Sequence, residues 1–156
     1  MKIGFTGSQL GMTREQFGVL TKAFMFAVDI KEAHHGMCVG ADAQFHALLR
    51  RLDANRQIKI IGHPASNFVS HKRAEGLDCD EMREAKPSLT RNHDIVDECD
   101  LLIAAPKTQH ELLRSGTWST IRYAKKVNRD YVIVAPSGAL DCLFRSETRK
   151  FLKGAF

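Results

Sequence analysis

The sequence predicts an α/β protein with a Rossmann-like open parallel sheet and helices on both faces. Apolar segments of strand length alternate with amphipathic segments of helix length from one end of the 156-residue chain to the other. Such alternation is typical of βαβ units with right-handed crossovers, which build a parallel sheet. Four short polar turns, most of them containing glycine, adjoin the predicted strands. Since the carboxyl ends of parallel strands share one edge, we expect a ligand site there.

The first half of the chain predicts three strands and two helices. Thr13 and Gln16 have the spacing of a capping box, which marks the start of the first helix. Apolar residues at helical spacing, including Phe17, Leu20 and Phe24, extend that helix toward residue 30. The expected order is strand 2–6, helix 13–30, strand 33–39, helix 41–54 and strand 58–61.

The second half begins with residues 63–87, which lack periodicity and include two prolines. A loop of this length inside a compact domain is usually functional, so we expect a mobile lid that orders when ligand binds. Regular elements then resume. The expected order is helix 90–98, strand 100–105, an irregular segment 107–114, helix 117–127, strand 131–135 and a short terminal helix from residue 140.

Composition is ordinary for a folded protein and predicts one domain over residues 1–156. Hydrophobic residues make up 44% and charged residues 26% of the chain. No apolar run reaches the roughly 18 residues of a membrane span. The amino terminus leads directly into a strand, so we expect no secretory signal and a cytoplasmic protein. The net charge of +5 is spread along the chain and favours any polyanion, including a phosphorylated small molecule.

Cysteine and histidine spacing gives no metal or disulfide signature. The four cysteines form no close pair, which argues against a disulfide framework or a four-cysteine zinc site. His63, His71 and Cys79 also lack a spacing typical of metal ligands. We therefore expect neither a metal nor a cofactor.

Two of the polar turns lie in the first half of the chain. Thr6-Gly7-Ser8-Gln9 follows the first strand, and its glycine, hydroxyl and amide groups suit phosphate at a helix start. Gly40 and Ala41 precede Asp42 at the start of the second helix. An aspartate at that position either caps free N–H groups or contacts a ligand.

The other two turns open helices in the second half. Arg91 and Asn92 lie at the predicted start of the third helix, where a cation opposes the helix dipole, so we expect Arg91 to meet an anion. Gly116 and Thr117 offer a second phosphate site, and Trp118 either stacks on a base or packs. Together with residues that end strands, the predicted ligand-binding residues are Thr6, Gly7, Ser8, Gln9, Gly40, Ala41, Asp42, His63, Arg91, Asn92, Pro106, Ser115, Gly116, Thr117, Trp118 and Thr120.

These motifs resemble the SLOG superfamily, the Rossmann-like group that includes DprA and the LOG phosphoribohydrolases. The run from Gly40 to Leu48 is similar to the Gly-Ile-Asp…Ala-His…Ala-Leu run of DprA. Arg91-Asn92 with its following strand matches the Arg-Asn helix of the group. The segment from Ser115 to Ala124 resembles its Gly-Gly-Thr element, in the form of YpsA-like or phage-encoded small members. The likeness covers roughly residues 1–136 without the 63–87 loop.

The resemblance implies a SLOG-type fold whose loops bind nucleotides, nucleotide-derived signals or single-stranded DNA. LOG enzymes place a glutamate at the position of Thr120, so the resemblance favours binding over catalysis. Our prediction is a phage or bacterial protein that senses or sequesters a nucleotide or nucleotide-derived molecule, as a homodimer or higher homo-oligomer. The alternatives are N-glycosidic bond hydrolysis, with Asp42 or a loop carboxylate (Glu75, Glu81 or Glu84) replacing the glutamate, and single-stranded nucleic-acid binding.

Overall fold

The computed structural model describes residues 1–27, 29–66 and 72–144. Seven strands form one sheet, and helices cover both of its faces, which confirms the predicted fold class. None of the helices in these ranges is long and apolar enough to span a membrane. The elements are β1 (Lys2–Gly7), α1 (Arg14–Phe26), β2 (Glu32–His35), α2 (Ala41–Leu52), β3 (Lys59–Gly62), β4 (Glu81–Met82), α3 (Ser88–Glu98), β5 (Leu101–Ala105), α4 (Gly116–Lys126), β6 (Asp130–Val134) and β7 (Leu140–Leu143).

The sheet order places β1 at the centre. The strands run β4-β3-β2-β1-β5-β6-β7, and every pairing is parallel except that of β6 with β7. From β1 the chain builds outward through β2, β3 and β4, and it then returns to the other side of β1 with β5. The direction of winding therefore reverses between β1 and β5, which is where open α/β sheets bind ligands.

Alternation along the central strands creates a core on each face of the sheet. Leu101 and Ile103 of β5 pack in one cluster, beneath α1 and α2, while Leu102 and Ala104 pack in the other, beneath α3 and α4. Phe5 of β1 stacks on Phe45 of α2 with ring centroids 4.3 Å apart, and neither is exposed. Burying one such side chain contributes about 1.5–3 kcal/mol.

The predicted capping box fixes helix α1 and ties it to the sheet. The Thr13 hydroxyl accepts a hydrogen bond from the Gln16 backbone N–H at 3.1 Å, and the Gln16 side-chain oxygen Oε1 accepts one from the Thr13 N–H at 2.9 Å. The buried Gln16 amide then donates to the carbonyl oxygens of Pro106 and Val134 at 2.9 and 2.8 Å. One side chain therefore holds α1 against the ends of β5 and β6.

The structure corrects the predicted course of the second strand. We expected the strand over 33–39, but β2 ends at His35. Met37 has φ of 58° and its N–H donates to His35 Nδ1, so the backbone turns away from the sheet directly after the strand. The turn at this strand end therefore lies at residues 36–39, before the predicted one.

Helix α1 ends at Phe26 rather than near residue 30, because Ala27 has an extended backbone. Three further elements differ from the predictions. The segment from residue 140 is not a helix: β7 pairs with β6, because the turn at Gly138 (φ 82°) folds it back as a hairpin. The predicted 63–87 loop contains β4, which pairs with β3 at the sheet edge. Helix α3 begins at Ser88 rather than Thr90, so the Arg91 N–H already donates to the Pro87 carbonyl. The dipole argument for Arg91 is correspondingly weakened.

Several predictions concern residues outside the described ranges. The helical pattern places Val28 on the apolar face of the predicted helix 13–30, Phe68 and His71 belong to the predicted lid, and the stretch from 145 to 153 is rich in basic residues. The lid and the homo-oligomer stay predictions. Met25 and Phe26 of α1 are 63% and 54% exposed, which is the apolar surface that a subunit interface would require.

Candidate functional site

A cleft of about 310 Å³ opens at the carboxyl ends of β1, β2 and β5. The first turns of α2 and α4 and one side of α3 border it, so it lies at the reversal of winding. Many of the predicted ligand-binding residues meet in its walls. The lining residues are Phe5, Thr6, Gly7, Ser8, Gln9, Gly36, Cys38, Asp42, Arg91, Asn92, Ile95, Lys107, Thr108, Leu112, Arg114, Ser115, Gly116 and Thr117.

Arg91 is the most unusual residue of the cleft because its charge is buried and forms no salt bridge in the described part of the chain, although the Asp42 carboxylate lies nearby. The residue is 3% exposed, and the guanidinium makes one hydrogen bond in the described part of the chain, from Nη2 to Cys38 Sγ at 3.5 Å. Its Nε is buried and has no hydrogen-bond partner there. Burying an unsatisfied charged donor is costly, so this guanidinium is suited to an anion that enters the cleft.

Glycine at position 36 makes room for that guanidinium. A Cβ built on Gly36 would lie 1.4 Å from Arg91 Nη1 and 2.9 Å from Asp42 Oδ2. The backbone just beyond β2 therefore forms the floor on which Arg91 lies, and no larger residue fits while Arg91 keeps this position.

Asp42 lies beside Arg91 as a buried acid. Burial raises the pKa of its carboxyl to about 6, although the Arg91 charge and backbone hydrogen bonds from Cys38 and Gly36 oppose the change. The Cys38 N–H donates to Asp42 Oδ2 at 3.1 Å, so the carboxylate holds the loop after β2. Burial also raises the pKa of the Cys38 thiol, which is therefore neutral at pH 7 and a weak nucleophile.

The opposite wall supplies hydrogen-bond donors and more positive charge. Helix geometry leaves the N–H groups of Gly116 and Thr117 without intrahelical acceptors, and both residues line the cleft. Lys107 and Arg114, both exposed, border the same space. Three cationic side chains and a helix N-terminus therefore face one opening that holds a single carboxylate, Asp42.

The turn after β1 is less free to bind phosphate than the sequence suggests. The Ser8 N–H donates to the Ala105 carbonyl at 3.2 Å, and the Ser8 hydroxyl accepts from the Leu10 N–H at 3.1 Å. The Gly7 carbonyl accepts the Thr117 hydroxyl at 3.0 Å. This turn joins β1 to β5 and α4. The Ser8 hydroxyl can still donate its proton to a ligand.

Some predicted residues lie outside the cleft walls and hold the fold instead. Gly40 has φ of 83°, and a Cβ there would lie 2.3 Å from the Gln9 carbonyl oxygen, so it packs backbone on backbone. The Ala41 N–H donates to the Ser8 carbonyl at 2.9 Å. The Pro106 carbonyl accepts from Gln16, as described above, and His63 pairs with a second buried histidine.

Trp118 is also structural in this arrangement. It is 7% exposed and packs in the core beneath α3 and α4, while its indole N–H donates to the Thr108 hydroxyl at 3.0 Å. The ring therefore fixes the segment after β5 and does not line the cleft. The stacking surface that a DprA-like nucleic-acid groove would require is not formed by this residue.

Comparison with solved structures identifies the fold. The chain matches the molybdenum cofactor binding protein of the phototrophic bacterium Rippkaea orientalis with a TM-score of 0.61, at 19% identity, over 85% of this chain and 76% of that one. It matches DNA processing protein A (DprA) of Streptococcus pneumoniae with a TM-score of 0.60, at 15% identity, over 99% of this chain and 54% of that one. These likenesses show the fold, which is Rossmann-like. The chain spans about half the length of DprA. No protein-family model and no curated protein sequence matches it.

Thr120, the position at which the resemblance to LOG enzymes implies a glutamate, has a structural role. The Thr120 hydroxyl donates to the Gly116 carbonyl at 3.0 Å inside α4, and Thr120 does not line the cleft. Of the loop carboxylates considered as replacements, Glu81 pairs with Lys59 and Arg83, and Glu75 lines a separate cavity with Met37 and Lys72. Glu84 does not line the cleft either. Asp42 is therefore the acid that the cleft contains.

The sequence prediction missed two groups of lining residues. The prediction placed Gly36 and Cys38 inside a strand. The glycine could have indicated that the strand ends before it and that a turn follows. Lys107, Thr108, Leu112 and Arg114 belong to the irregular segment directly after β5. This segment follows a predicted strand, and the carboxyl ends of parallel strands share one edge. That position alone predicts that Lys107 and Arg114 lie at the site.

Proposed function

We propose that this protein binds a nucleotide or a nucleotide-derived small molecule in the cleft, and thereby senses or sequesters it. The observation that carries the proposal is the buried Arg91 guanidinium, which lines the cleft with its Nε unpartnered. A ligand phosphate would satisfy this charge, and a charge-assisted hydrogen bond is worth about 1.5–3 kcal/mol.

The surroundings of Arg91 favour a nucleotide over a simple anion. The N–H groups of Gly116 and Thr117 and the side chains of Lys107 and Arg114 support a phosphate chain that runs toward solvent. Asp42 and Asn92 offer hydrogen-bonding groups for ribose or base. The volume of about 310 Å³ lies at the lower end of the range for small-molecule sites, which suits one nucleotide.

The test compares ligands that differ in phosphate and proteins that differ in one charge. Isothermal titration of adenosine, AMP, ADP and ADP-ribose into the purified protein is expected to show binding for the phosphorylated compounds and none for adenosine. Mass spectrometry of small molecules released by heat denaturation complements this panel, since a co-purified ligand would reveal its own phosphate content.

The variants are Arg91→Met and Arg51→Met. Both remove one positive charge, but Arg51 is an exposed residue of α2 that does not line the cleft. Arg91→Met is expected to weaken binding about tenfold or more, while Arg51→Met binds as the wild type does. Equal affinities for the two variants, or equal binding of adenosine and AMP, would contradict the proposal.

A second candidate function is hydrolysis of an N-glycosidic bond, and the acid in the cleft favours it. The pKa of Asp42 is about 6, close to the value at which a carboxyl exchanges protons efficiently near neutral pH. Chromatography after incubation with nucleotides would detect a released base. Under this hypothesis the Asp42→Asn variant no longer releases the base but still binds the nucleotide. If the wild type leaves the nucleotides intact, hydrolysis is excluded and binding is the function.

A further inference from the structure

Strand β2 carries two adjacent histidines, and each meets a second histidine on its own face of the sheet. His34 Nδ1 lies 3.0 Å from His63 Nε2, and His35 Nε2 lies 3.0 Å from His46 Nδ1. All four residues are at most 4% exposed. Cys79 lies near the His35 pair and Glu98 near the His34 pair, so each group brings three potential metal-ligand atoms within 4.8 Å of one another.

Tracing the protons shows that the His35 pair is already satisfied. The Met37 N–H donates to His35 Nδ1 at 3.1 Å, so the proton of a neutral His35 lies on Nε2 and is donated to His46 Nδ1. The remaining proton of His46 lies on Nε2, which donates to Asp78 Oδ1 at 2.8 Å. If a metal ion bound His35 Nε2, the proton of His35 would have to lie on Nδ1, where it would face the Met37 N–H and break that hydrogen bond. This group is a hydrogen-bonded relay.

The same tracing leaves the His34 pair open. His34 Nε2 lies 3.3 Å from Glu32 Oε2 and donates its proton there, so His34 Nδ1 carries a lone pair. That lone pair faces His63 Nε2. If His63 Nε2 holds the proton, the lone pair of His63 Nδ1 is buried, and this atom has no hydrogen-bond partner in the described part of the chain. Because this atom has no partner to lose, the proton of His63 can move to it and free the lone pair of Nε2, so the pair can present two nitrogen lone pairs to an ion.

We propose that His34, His63 and Glu98 form a binding site for a divalent transition-metal ion of the zinc type, at the carboxyl ends of β2 and β3. Two imidazole nitrogens and one carboxylate oxygen are a common ligand set for such ions, which then keep an open position for water or substrate. Glu98 Oε2 lies 3.8 Å from His34 Nδ1. Ligand atoms about 2.0–2.1 Å from a tetrahedral ion are roughly 3.3 Å apart. The two distances from His34 Nδ1 differ from this by a few tenths of an ångström, and the His63 and Glu98 atoms, which lie within 4.8 Å, must also approach each other.

Two of the three residues, His34 and Glu98, have outer hydrogen-bond partners of the kind found in known metal sites. Metal-binding histidines usually donate their other N–H to a carboxylate, and His34 does so to Glu32. Glu98 is oriented by Arg83, whose Nε and Nη2 donate to Oε2 at 2.9 and 2.7 Å. Arg83 also pairs with Glu81, so its charge is shared between two carboxylates. The sequence prediction of no metal paired His63 with His71 and Cys79 and did not consider His34 and Glu98.

The test uses Zn²⁺ and Co²⁺ with the intact protein and keeps the two histidine groups apart. Competition with a chromophoric chelator is expected to show one equivalent of Zn²⁺ bound by the wild type and by Cys79→Ala. Glu98→Gln is expected to bind Zn²⁺ with an affinity roughly tenfold or more below that of the wild type. Bound Co²⁺ is expected to give visible bands of a four- or five-coordinate ion without a thiolate charge-transfer band. A thiolate band, unchanged affinity in Glu98→Gln, or no stoichiometric binding by the folded wild type would each overturn the proposal.

A measurement on the wild type alone covers the case in which Glu98→Gln fails to fold. Long-range ¹H–¹⁵N spectra report each imidazole nitrogen separately. On addition of Zn²⁺, the signals of His34 Nδ1 and His63 Nε2 are expected to move to metal-bound positions while those of His35 and His46 stay. Movement of the His35 and His46 signals instead would assign the ion to the other group and contradict the proposal.

Discussion

Helix α2 contributes side chains to two charged clusters that are satisfied in opposite ways. In the Asp78 network, His46 and Arg50 of α2 hold Asp78 and Asp80 through direct hydrogen bonds, and Arg56 adds an ion pair. In the Arg91 cluster, Asp42 of the same helix lies near Arg91, but the guanidinium bonds only to a sulfur among the described residues. In the Asp78 network the charged groups bond to one another and fix the chain, whereas in the Arg91 cluster a buried positive charge remains available at the cleft.

The difference shows which buried charges indicate function. Hydrogen bonds from His46 and Arg56 lower the pKa of Asp78 well below its ordinary value, as is typical of a carboxylate in a finished structural network. Asp42 has the opposite shift because burial dominates. Arg50 in the network also leaves one buried nitrogen, Nη1, without a partner among the described residues, but its other nitrogens bond to Asp78 and Asp80. Arg91 bonds only to a sulfur there, and this larger deficit is the one that indicates a ligand. Substitutions in the two clusters test this difference.

The largest expected effect is on the pH dependence of stability in Asp42→Asn. The pKa of Asp42 is about 6 in the folded protein and 3.8 when exposed, so its contribution to stability is present below about 3.8 and is lost as pH rises through 6. Between pH 4 and 6 the wild type should therefore lose roughly 2–3 kcal/mol relative to Asp42→Asn. Urea unfolding at several pH values measures the difference. Parallel curves for the two proteins would contradict the raised pKa.

A second effect concerns the relay in the Asp78 network. His46→Leu leaves the buried His35 Nε2–H with only a weak contact to Cys79 Sγ at 3.9 Å, and Asp78 loses its bond to imidazole. We expect a loss of about 2 kcal/mol in the free energy of unfolding. Ligand binding in the cleft should remain, because neither histidine lines it. A variant as stable as the wild type would show that the relay is not structural.

The third effect tests the Arg91 cluster through the backbone. In Gly36→Ala the new methyl group would take the place of Arg91 Nη1, so the guanidinium must move. Since the displaced group is the end of a flexible side chain, we expect a small change in stability and about tenfold weaker nucleotide binding, or about 1.4 kcal/mol. Calorimetry with ADP measures this, and Gly18→Ala is the control because a Cβ at Gly18 meets no neighbouring atom within 4 Å. Equal affinities in the two variants would separate Gly36 from the site.

The sequence predicted the fold class and most of the elements because they rest on local periodicity. Alternating apolar and amphipathic segments gave the strands and helices, and the capping box at Thr13 and Gln16 is present as predicted. The exceptions are set by tertiary contacts. The strand Leu140–Leu143 forms because β6 offers a free edge, and β2 ends at His35 because the backbone turns beneath Arg91.

The site was predicted less completely because a polar turn can serve the fold or a ligand. Gly7, Arg91 and Thr117 meet at the cleft as expected, whereas Gly40, Pro106 and Trp118 hold neighbouring elements together. In the sequence these residues look alike. The burial of Arg91 without a salt bridge among the described residues, and the contact of His34 with His63, depend on how β2, β3 and α3 pack, so no local pattern could reveal them.

The smallest expected effect is at the exposed margin of the Asp78 network, in Arg56→Ala. Arg56 forms an ion pair with Asp78, but both side chains are more than half exposed, at 57% and 51%. Water screens such a pair, so the free energy of unfolding should fall by less than about 1 kcal/mol. At ionic strengths near 1 M, where the screening length is about 3 Å, the difference from the wild type should disappear. The same salt should leave the effect of His46→Leu unchanged, because His35 and His46 are 0% and 4% exposed. If both effects vanished with salt, the Asp78 network would be held by surface charge rather than by the buried relay, and its contrast with the Arg91 cluster would fail.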